Sequence, residues 1–457
     1  LTVMTFLGAG MLSGISAQVS PLQVDTLKET KIPDQWDLQS CIDYAKEQNI
    51  TIRKNRITAV STQIDVKTAK AAMFPSLSFS TGQQVVNRPY QETSSRVSGS
   101  EIISSNSKTS YNGNYGLNAS WTLYNGNKRL KTIQQEKLNN QMAELDVATS
   151  ENNIQESITQ VYIQILYAAE SVKVNENTLQ VSIAQRDRGQ ELLNAGSIAK
   201  SDLAQLEAQV STDRYQLVTA QATLEDYKLQ LKQLLELDGE NEMNIYLPAL
   251  SDENVLAPLP TKRDVYISAL SLRPEIEASK LNVEASELGI NIAKSSYFPT
   301  ISLSAGIGTN HTSGSDFTFG EQVKNGWNNS IGLSVSVPIF NNRQTKSAVQ
   351  KAKLQYETSM LSLLDEQKAL YKTIESLWLD ANSAQQRYAA ANEKLKSTQI
   401  SYELISEQFN LGMKNTVELL TEKNNLLQAQ QEQLQAKYMA ILNTQLLKFY
   451  QGDQLAL

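Results

Sequence analysis

"AKAAMFPSLSFSTG", residues 69–82, and "AKSSYFPTISLSAG", residues 293–306, are two versions of one sequence set 224 residues apart. Each passes through Phe-Pro and continues in alternation. A residue that precedes proline is pushed out of the helical region, so Phe74-Pro75 and Phe298-Pro299 each end a helix and open a strand. In the first strand Leu77 and Phe79 alternate with Ser76, Ser78 and Ser80. In the second, Ile301, Leu303, Ala305 and Ile307 alternate with Ser302, Ser304, Gly306 and Gly308. Period two with one apolar face describes a strand lying between two different solvents.

The duplication extends outward from this motif. "GLNASWTLYNGN" at 116–127 matches "GLSVSVPIFNNR" at 332–343 with an offset of 216, and Gly196 and Gly412 keep that offset. Two repeats are therefore expected, 37–240 and 264–450, joined by a polar, proline-containing connector at 241–263. Each repeat predicts one helix of about 35 residues (37–73; 263–297), then a strand (75–87; 299–311) and a Ser/Asn/Gly-rich segment (88–113; 312–328). A return strand follows (114–124; 329–340), with Leu117, Ala119, Trp121 and Leu123 on one face of the first and Ile331, Leu333, Val335, Val337 and Ile339 on one face of the second. Each strand has about the 9 to 11 residues of a tilted bilayer crossing. The pattern then turns helical over 127–195 and 343–411, each about 100 Å long at 1.5 Å per residue. Second helices, 200–237 and 415–450, fold back along them. Leu203, Leu206, Val210, Leu217, Ala220, Leu224, Tyr227, Leu231 and Leu234 form a heptad seam broken by Asp213, and Leu420, Leu427, Leu434 and Ile441 recur at sevens.

Composition narrows the function. With 41 Lys and Arg against 48 Asp and Glu, the net charge of −7 gives no footing for nucleic acid. One cysteine and one histidine leave no His/Cys metal site, and no Ser/His/Asp set, phosphate loop or carboxylate pair suggests catalysis, so no cofactor is expected. Cys41 shares a helical face with Leu38, Ile42 and Ala45 and reads as a small buried apolar residue. His311, at a strand end, is expected to be solvated. The opening 1–17 is uncharged, apolar and ends in small residues, and reads as a secretory signal peptide. Beyond it no run of some 18 apolar residues remains, so any membrane crossing falls to the strands.

Four amphipathic strands cannot close a membrane barrel, because lipid tolerates no open sheet edge. Two copies would give eight strands around a filled interior, and three would give twelve around a lumen, which suits the small polar face. The competing reading is a soluble hairpin pair packed on helices within a coiled-coil scaffold.

Several of these pieces carry a resemblance. They are "WDLQSCIDYAKEQN" at 36–49, the duplicated Phe-Pro entry, "LRPEIEASK" at 272–280, and two G-x5-[DE]-L turns. Together they resemble the outer-membrane factor family of TolC-like outer membrane efflux proteins, over residues 36–451. The resemblance implies a homotrimer whose twelve-stranded outer-membrane barrel continues as an α-helical barrel in the periplasm. It implies a passive exit duct for a tripartite efflux system exporting small molecules, or for a type I protein secretion system. Its partners would be a periplasmic adaptor (membrane fusion) protein, an inner-membrane pump and outer-membrane lipid. Gly196, Ser197, Gly412 and Met413 then correspond to adaptor-docking tips, and Asp202 and Glu418 to entrance charges. The chain departs from the family where some members carry a further acid, since Gln205 and Thr421 are uncharged. Each position has a plainer reading too. Turn glycines are common left-handed helix caps, and acids in a first helical turn complement the helix dipole, with Asn415 and Glu418 spaced as a capping pair. Phe74, Tyr124, Phe298 and Phe340 mark the strand-helix junctions, either as a membrane-interface belt or as core packing, and Trp327 suits an extracellular rim.

Overall fold

In the computed structural model, residues 33–455 are described except 91–93, 99–100, 106–107, 239–242, 249–254, 314 and 316. The expected signal peptide at 1–17 lies outside the described residues. In chain order the elements are α1 (Leu38–Gln48), α2 (Ile50–Ala71), β1 (Ser76–Asn87), β2 (Ser94–Ser98), β3 (Glu101–Ser105), β4 (Thr109–Asn125), α3 (Lys128–Asn194) and α4 (Lys200–Leu234). The second repeat supplies α5 (Lys262–Leu272), α6 (Pro274–Ser295), β5 (Thr300–Thr312), α7 (Phe319–Asn325), β6 (Asn328–Ser336), α8 (Gln344–Asn410) and α9 (Thr416–Gln451). Helix dominates among the described residues, beside a four-stranded antiparallel sheet and the separate two-stranded β2–β3. None of the described helices is long and apolar enough to cross a membrane.

Local chemistry explains where the elements depart from the repeat pattern. The first helix, expected to be continuous over 37–73, breaks at Asn49. Its side-chain Oδ1 accepts from Thr51 N–H at 2.9 Å and Ile52 N–H at 3.4 Å, while its Nδ2 donates to the Leu234 carbonyl at 3.0 Å. An asparagine that caps one helix and satisfies another outcompetes helix continuation. The counterpart at 263–297 breaks at Arg273, held extended at φ −74° and ψ 122° by Pro274, which opens α6. β6 stops at Ser336 rather than near 340, two residues before Pro338, which has no N–H for a ladder. The Ser/Asn/Gly-rich segments, 88–113 and 312–328, hold the hairpin β2–β3 and the short helix α7.

Contact density divides the chain into two compact units that cut across the repeats, because α3 and α8 each contribute to both. Among the described residues, one unit takes in those up to Ile57, those within Ser150–Thr261 and those from Ser376 onward. Its core is built on α1. Leu38, Cys41, Ile42 and Ala45 pack with Ile158, Tyr162, Ile165 and Leu166 of α3, Leu231 of α4, Tyr388 of α8 and Ile441 of α9. Each large side chain buried there contributes roughly 1.5–3 kcal/mol by leaving water. The Cys41 thiol is pushed up to about 12, first by burial and then by the nearby Asp37 charge. The connector closes over this core. Trp36, 1% exposed, forms a parallel bridge to Ile245, and Tyr162 Oη donates to the Tyr246 carbonyl at 2.5 Å.

The other unit comprises Thr58–Thr149 and Lys262–Glu375. It contains the sheet, in the order β1-β4-β5-β6, with every pairing antiparallel. Its helical portions bury few residues, among them Val66, Ala143, Val265, Ile276 and Ile374.

Candidate functional site

The two helix-hairpin turns have the same backbone. At the first, Gly196 N–H donates to the Leu193 carbonyl at 2.9 Å and Ser197 N–H to the Leu192 carbonyl at 2.8 Å. At the second, Gly412 reaches Phe409 at 2.9 Å and Met413 reaches Gln408 at 2.9 Å. Both glycines sit at φ +73°, and a Cβ on either would meet nothing within 4 Å. Glycine is therefore required here by the left-handed conformation and not by crowding. The surfaces differ. The second turn exposes Leu411, Met413 and Val417, where the first carries Ala195, Ser197 and Ser201.

The two acids are engaged by their helix starts. Asp202 accepts from Ala199 N–H at 3.0 Å, half of a capping box, since alanine has no side-chain acceptor to complete it. Glu418 completes the reciprocal arrangement. It accepts from Asn415 N–H at 3.2 Å, while its own N–H donates to Asn415 Oδ1 at 2.9 Å. Lys414 Nζ also lies 2.6 Å from Glu418 Oε1. That hydrogen bond, followed by the one from Asn415, holds the Glu418 carboxyl below the usual glutamate range.

Behind the turns lies a buried polar layer that the heptad reading registered only as a break at Asp213. Lys423 of α9 donates to Asp213 of α4 and to Ser182 of α3, and Ser182 donates to Asp213. Asp213 is 1% exposed, Ser182 2% and Lys423 3%. Gln209 Nε2 completes the carboxylate at 2.9 Å, Gln185 Nε2 donates to Tyr402 Oη at 2.8 Å, and Ser401 reaches Glu422 at 3.1 Å. These bonds tie α3, α4, α8 and α9 together within the first unit. Of the expected sevens on α9, Leu427 and Ile441 are buried and Leu420 and Leu434 half-buried, and Leu419, Lys423 and Leu426 are buried beside them.

In the sheet unit, register sorts the strands into two faces. Leu77 pairs Ala119, Phe79 pairs Leu117, Leu303 pairs both Trp121 and Leu333, and Ile301 pairs Val335. The opposite face pairs Ser76 with Ser120, Ser78 with Asn118, and Ser302 with Ser334. A bulge between Thr122 and Tyr124 drops Leu123 out of the alternation and sets Tyr124 opposite Ile301. Of the junction aromatics, Phe74, Phe298 and Phe340 are exposed and Tyr124 is half-buried. The three phenylalanines thus do not pack in the core of this chain. Trp327 is exposed as well. His311 differs from the solvated strand end expected of it. It is half-buried, 5.4 Å from the ring of Tyr111, 5.9 Å from Tyr115 and 5.0 Å from Phe319, which anchors α7. Trp121 Nε1 and Arg129 Nη1 donate to the Met73 and Ala72 carbonyls at 2.7 and 2.9 Å and so cap the end of α2. Among the described residues there is no cluster of three or more His, Cys, Asp or Glu arranged to hold a metal ion.

Known proteins share both the sequence pattern and the geometry. A sequence-family profile described as "Outer membrane efflux protein" matches residues 41–236 and 265–452. Outer membrane efflux protein BepC of Brucella suis biovar 1 (strain 1330) is 24% identical over 299 residues, covering 65% of this chain and 62% of the relative. Outer membrane protein TolC of Escherichia coli (strain K12) is 24% identical over 291 residues, covering 62% of this chain and 58% of the relative. The chain thus spans about six tenths of the length of these two relatives. Among solved structures, CusC, whose crystal structures concern folding and transmembrane channel formation, superposes with a TM-score of 0.77 at 18% identity, covering 91% of this chain and 92% of that one. VceC of Vibrio cholerae, an outer membrane protein, gives 0.74 at 16% identity, covering 92% and 97%. These likenesses show the fold.

Proposed function

This chain belongs to the outer membrane efflux protein family, and from that premise we propose that three copies form a passive exit duct through the outer membrane. The observation that carries this reading is the sheet. Its outer strands β1 and β6 are each paired on one side only, one face is apolar, and the other is Ser, Asn and Gly. A lipid-facing sheet with two open edges is untenable alone. Pairing β6 of one copy with β1 of the next removes every edge. Three four-stranded sheets then make twelve strands, enough for a wet lumen lined by the polar face. The long helices continue that wall into the periplasm as an α-helical barrel. The family is one of transport ducts and not of enzymes. A periplasmic adaptor and an inner-membrane pump would supply the driving force and choose the cargo, which we take to be small molecules.

Within this assembly Phe74, Tyr124, Phe298 and Phe340 form the membrane-interface belt against outer-membrane lipid. Gly196, Ser197, Gly412 and Met413 are the adaptor-docking tips. Asp202 and Glu418 cap their helices and present charge at the entrance, and the two roles coexist because a capping carboxylate keeps most of its field in solvent.

Interchain disulfides test the reading. Ser78→Cys combined in turn with Ser330→Cys, Ser334→Cys or Ser336→Cys should give, for at least one register, a covalent trimer on non-reducing gels of detergent-extracted protein. A soluble monomer that needs no detergent and forms no such ladder would overturn it.

A further inference from the structure

The repeats stay in register along their long helices. α3 and α8 are both 67 residues, and their first residues, Lys128 and Gln344, stand 216 apart, as do the first residues of α4 and α9. Positions can therefore be compared directly. In the first repeat Tyr167 of α3 and Tyr227 of α4 pack against the core, the Tyr167 ring 6.3 Å from that of Tyr438 on α9. Their counterparts are Ser383 and Asn443, and Ala390 stands where the first repeat has Val174. Where one repeat is filled by two phenol rings, the other has a groove of about 530 Å³ between α8 and α9. That size suits a small organic ligand.

The groove is built with a purpose that packing alone does not explain. Asn443 lines it at 6% exposure, yet its Nδ2 has no hydrogen-bond partner. A buried amide donor calls for an acceptor. The floor is apolar and flat, from Ala384, Ala391 and Ala436. At one end Lys394 and Glu432 satisfy each other at 2.7 Å. Asp380 and Arg387, also on the rim, form no ion pair with another described residue. They stand seven residues apart on α8, about 10.5 Å along its axis. Because Lys394 meets Glu432 and the two helices run antiparallel, eleven residues back along α8 is level with eleven residues forward along α9. This places Asn443 beside Ser383, between Asp380 and Arg387.

We infer that this groove binds a short zwitterionic peptide: its carboxylate on Arg387, its ammonium on Asp380, a backbone carbonyl accepting from Asn443 Nδ2, and an apolar side chain on the alanine floor. An extended chain advances about 3.3–3.6 Å per residue, so three residues match the rise of about 10.5 Å between the two positions on α8. The site forms within one chain and does not depend on the exit-duct reading.

Titration calorimetry on the full-length, detergent-solubilised protein tests this, with the peptide Ala-Leu-Ala as probe and its N-acetylated, C-amidated form as control. The expected result is saturable binding at one site per chain, weakened at least tenfold for the capped peptide and about tenfold by Asp380→Asn or Arg387→Gln. Both substitutions are exposed and leave folding alone. The pair Ser383→Tyr with Asn443→Tyr restores the first repeat's filling and should abolish binding while preserving the unfolding temperature. Absence of saturable binding, equal binding of the capped peptide, or indifference to both charge substitutions would each overturn the proposal. So would a tyrosine pair that splits the oligomer, which would make the groove a contact between copies.

Discussion

Removing either partner of the buried Asp213–Lys423 pair should destabilise the helical hairpins far more than removing both. Lys423 is 3% exposed and Asp213 1%, so the survivor of a single substitution would face desolvation without compensation. Breaking a buried pair typically costs about 3–5 kcal/mol, whereas replacing the whole pair with apolar groups is often neutral. The structure supplies an independent ceiling. In Asp213→Ala the stranded lysine escapes by giving up its proton, and neutralising an amine of ordinary value 10.5 at pH 7 costs about 5 kcal/mol at 1.36 kcal/mol per unit. Burial already draws Lys423 below that value, and the Asp213 hydrogen bond and charge oppose the shift, so losing Asp213 lowers it further. The sign follows. The unfolded chain holds a proton that the folded variant releases, so stability rises with pH up to the unfolded value, and the penalty should shrink by up to about 1.4 kcal/mol for each pH unit above neutrality. Native-state hydrogen exchange at amides 178–186 and 419–427 reads the local opening free energy without requiring reversible global unfolding. Asp213→Ala should lose about 3–5 kcal/mol of protection at pH 7 and Asp213→Leu with Lys423→Met within about 1. A double variant as damaged as the sum of the single ones would refute the reasoning.

Gly196→Ala and Gly412→Ala should each weaken the adjoining helix ends by about 1–2 kcal/mol, seen as faster exchange in the last turns of α3 and α8, since φ +73° strains an L-residue although the space is open. A larger loss with displaced neighbours would show that crowding matters after all. Because Glu418 is held below its ordinary 4.5, the contribution of its capping box should be full above that value and disappear as pH falls through the lowered one. Exchange at the Asn415 and Glu418 amides between pH 5 and 3 checks this, and Glu418→Gln should flatten the profile. Arg129→Met should fray the end of α2 by about 1–3 kcal/mol through loss of charged hydrogen bonds to the Ala72 and Thr122 carbonyls, measured by exchange over residues 70–74. Three chains of net charge −7 should make the duct cation-selective in planar bilayers, and anion selectivity would count against the assembly.

The sequence disclosed whatever was periodic or repeated. The Phe-Pro entries, the alternation through Leu77 and Ile301 and the offset glycines each carry their meaning within a few residues. What stayed hidden depended on contacts between distant residues. Asn49 reads as one more helical residue until the Leu234 carbonyl, 185 residues away, claims its amide. Leu123 continues a faultless alternation until pairing with β5 forces a bulge. Asp213 shows as a flaw in a heptad, and nothing nearby announces that Lys423 will neutralise it. Pro274 and Pro338 were legible breaks outweighed by the longer pattern around them. At the tips the glycines and acids were legible, but the apolar surface of Leu411 and Met413 emerges only when the two turns are compared as surfaces.

The identical lengths of α3 and α8 restrict how this chain can change. One residue inserted into either would turn everything beyond it by about 100° and advance it by 1.5 Å, taking a seam residue to the outside and breaking the match with its duplicate. The connections between strands carry no such constraint, and they absorb the difference between the offsets of 224 and 216. Insertions and deletions should therefore accumulate beyond the sheet, at the loops joining β1 to β4 and β5 to β6, while the helices act as fixed rulers. A tag or antigenic sequence grafted at those loops should leave assembly intact, and the same graft inside a helix would have to be made twice.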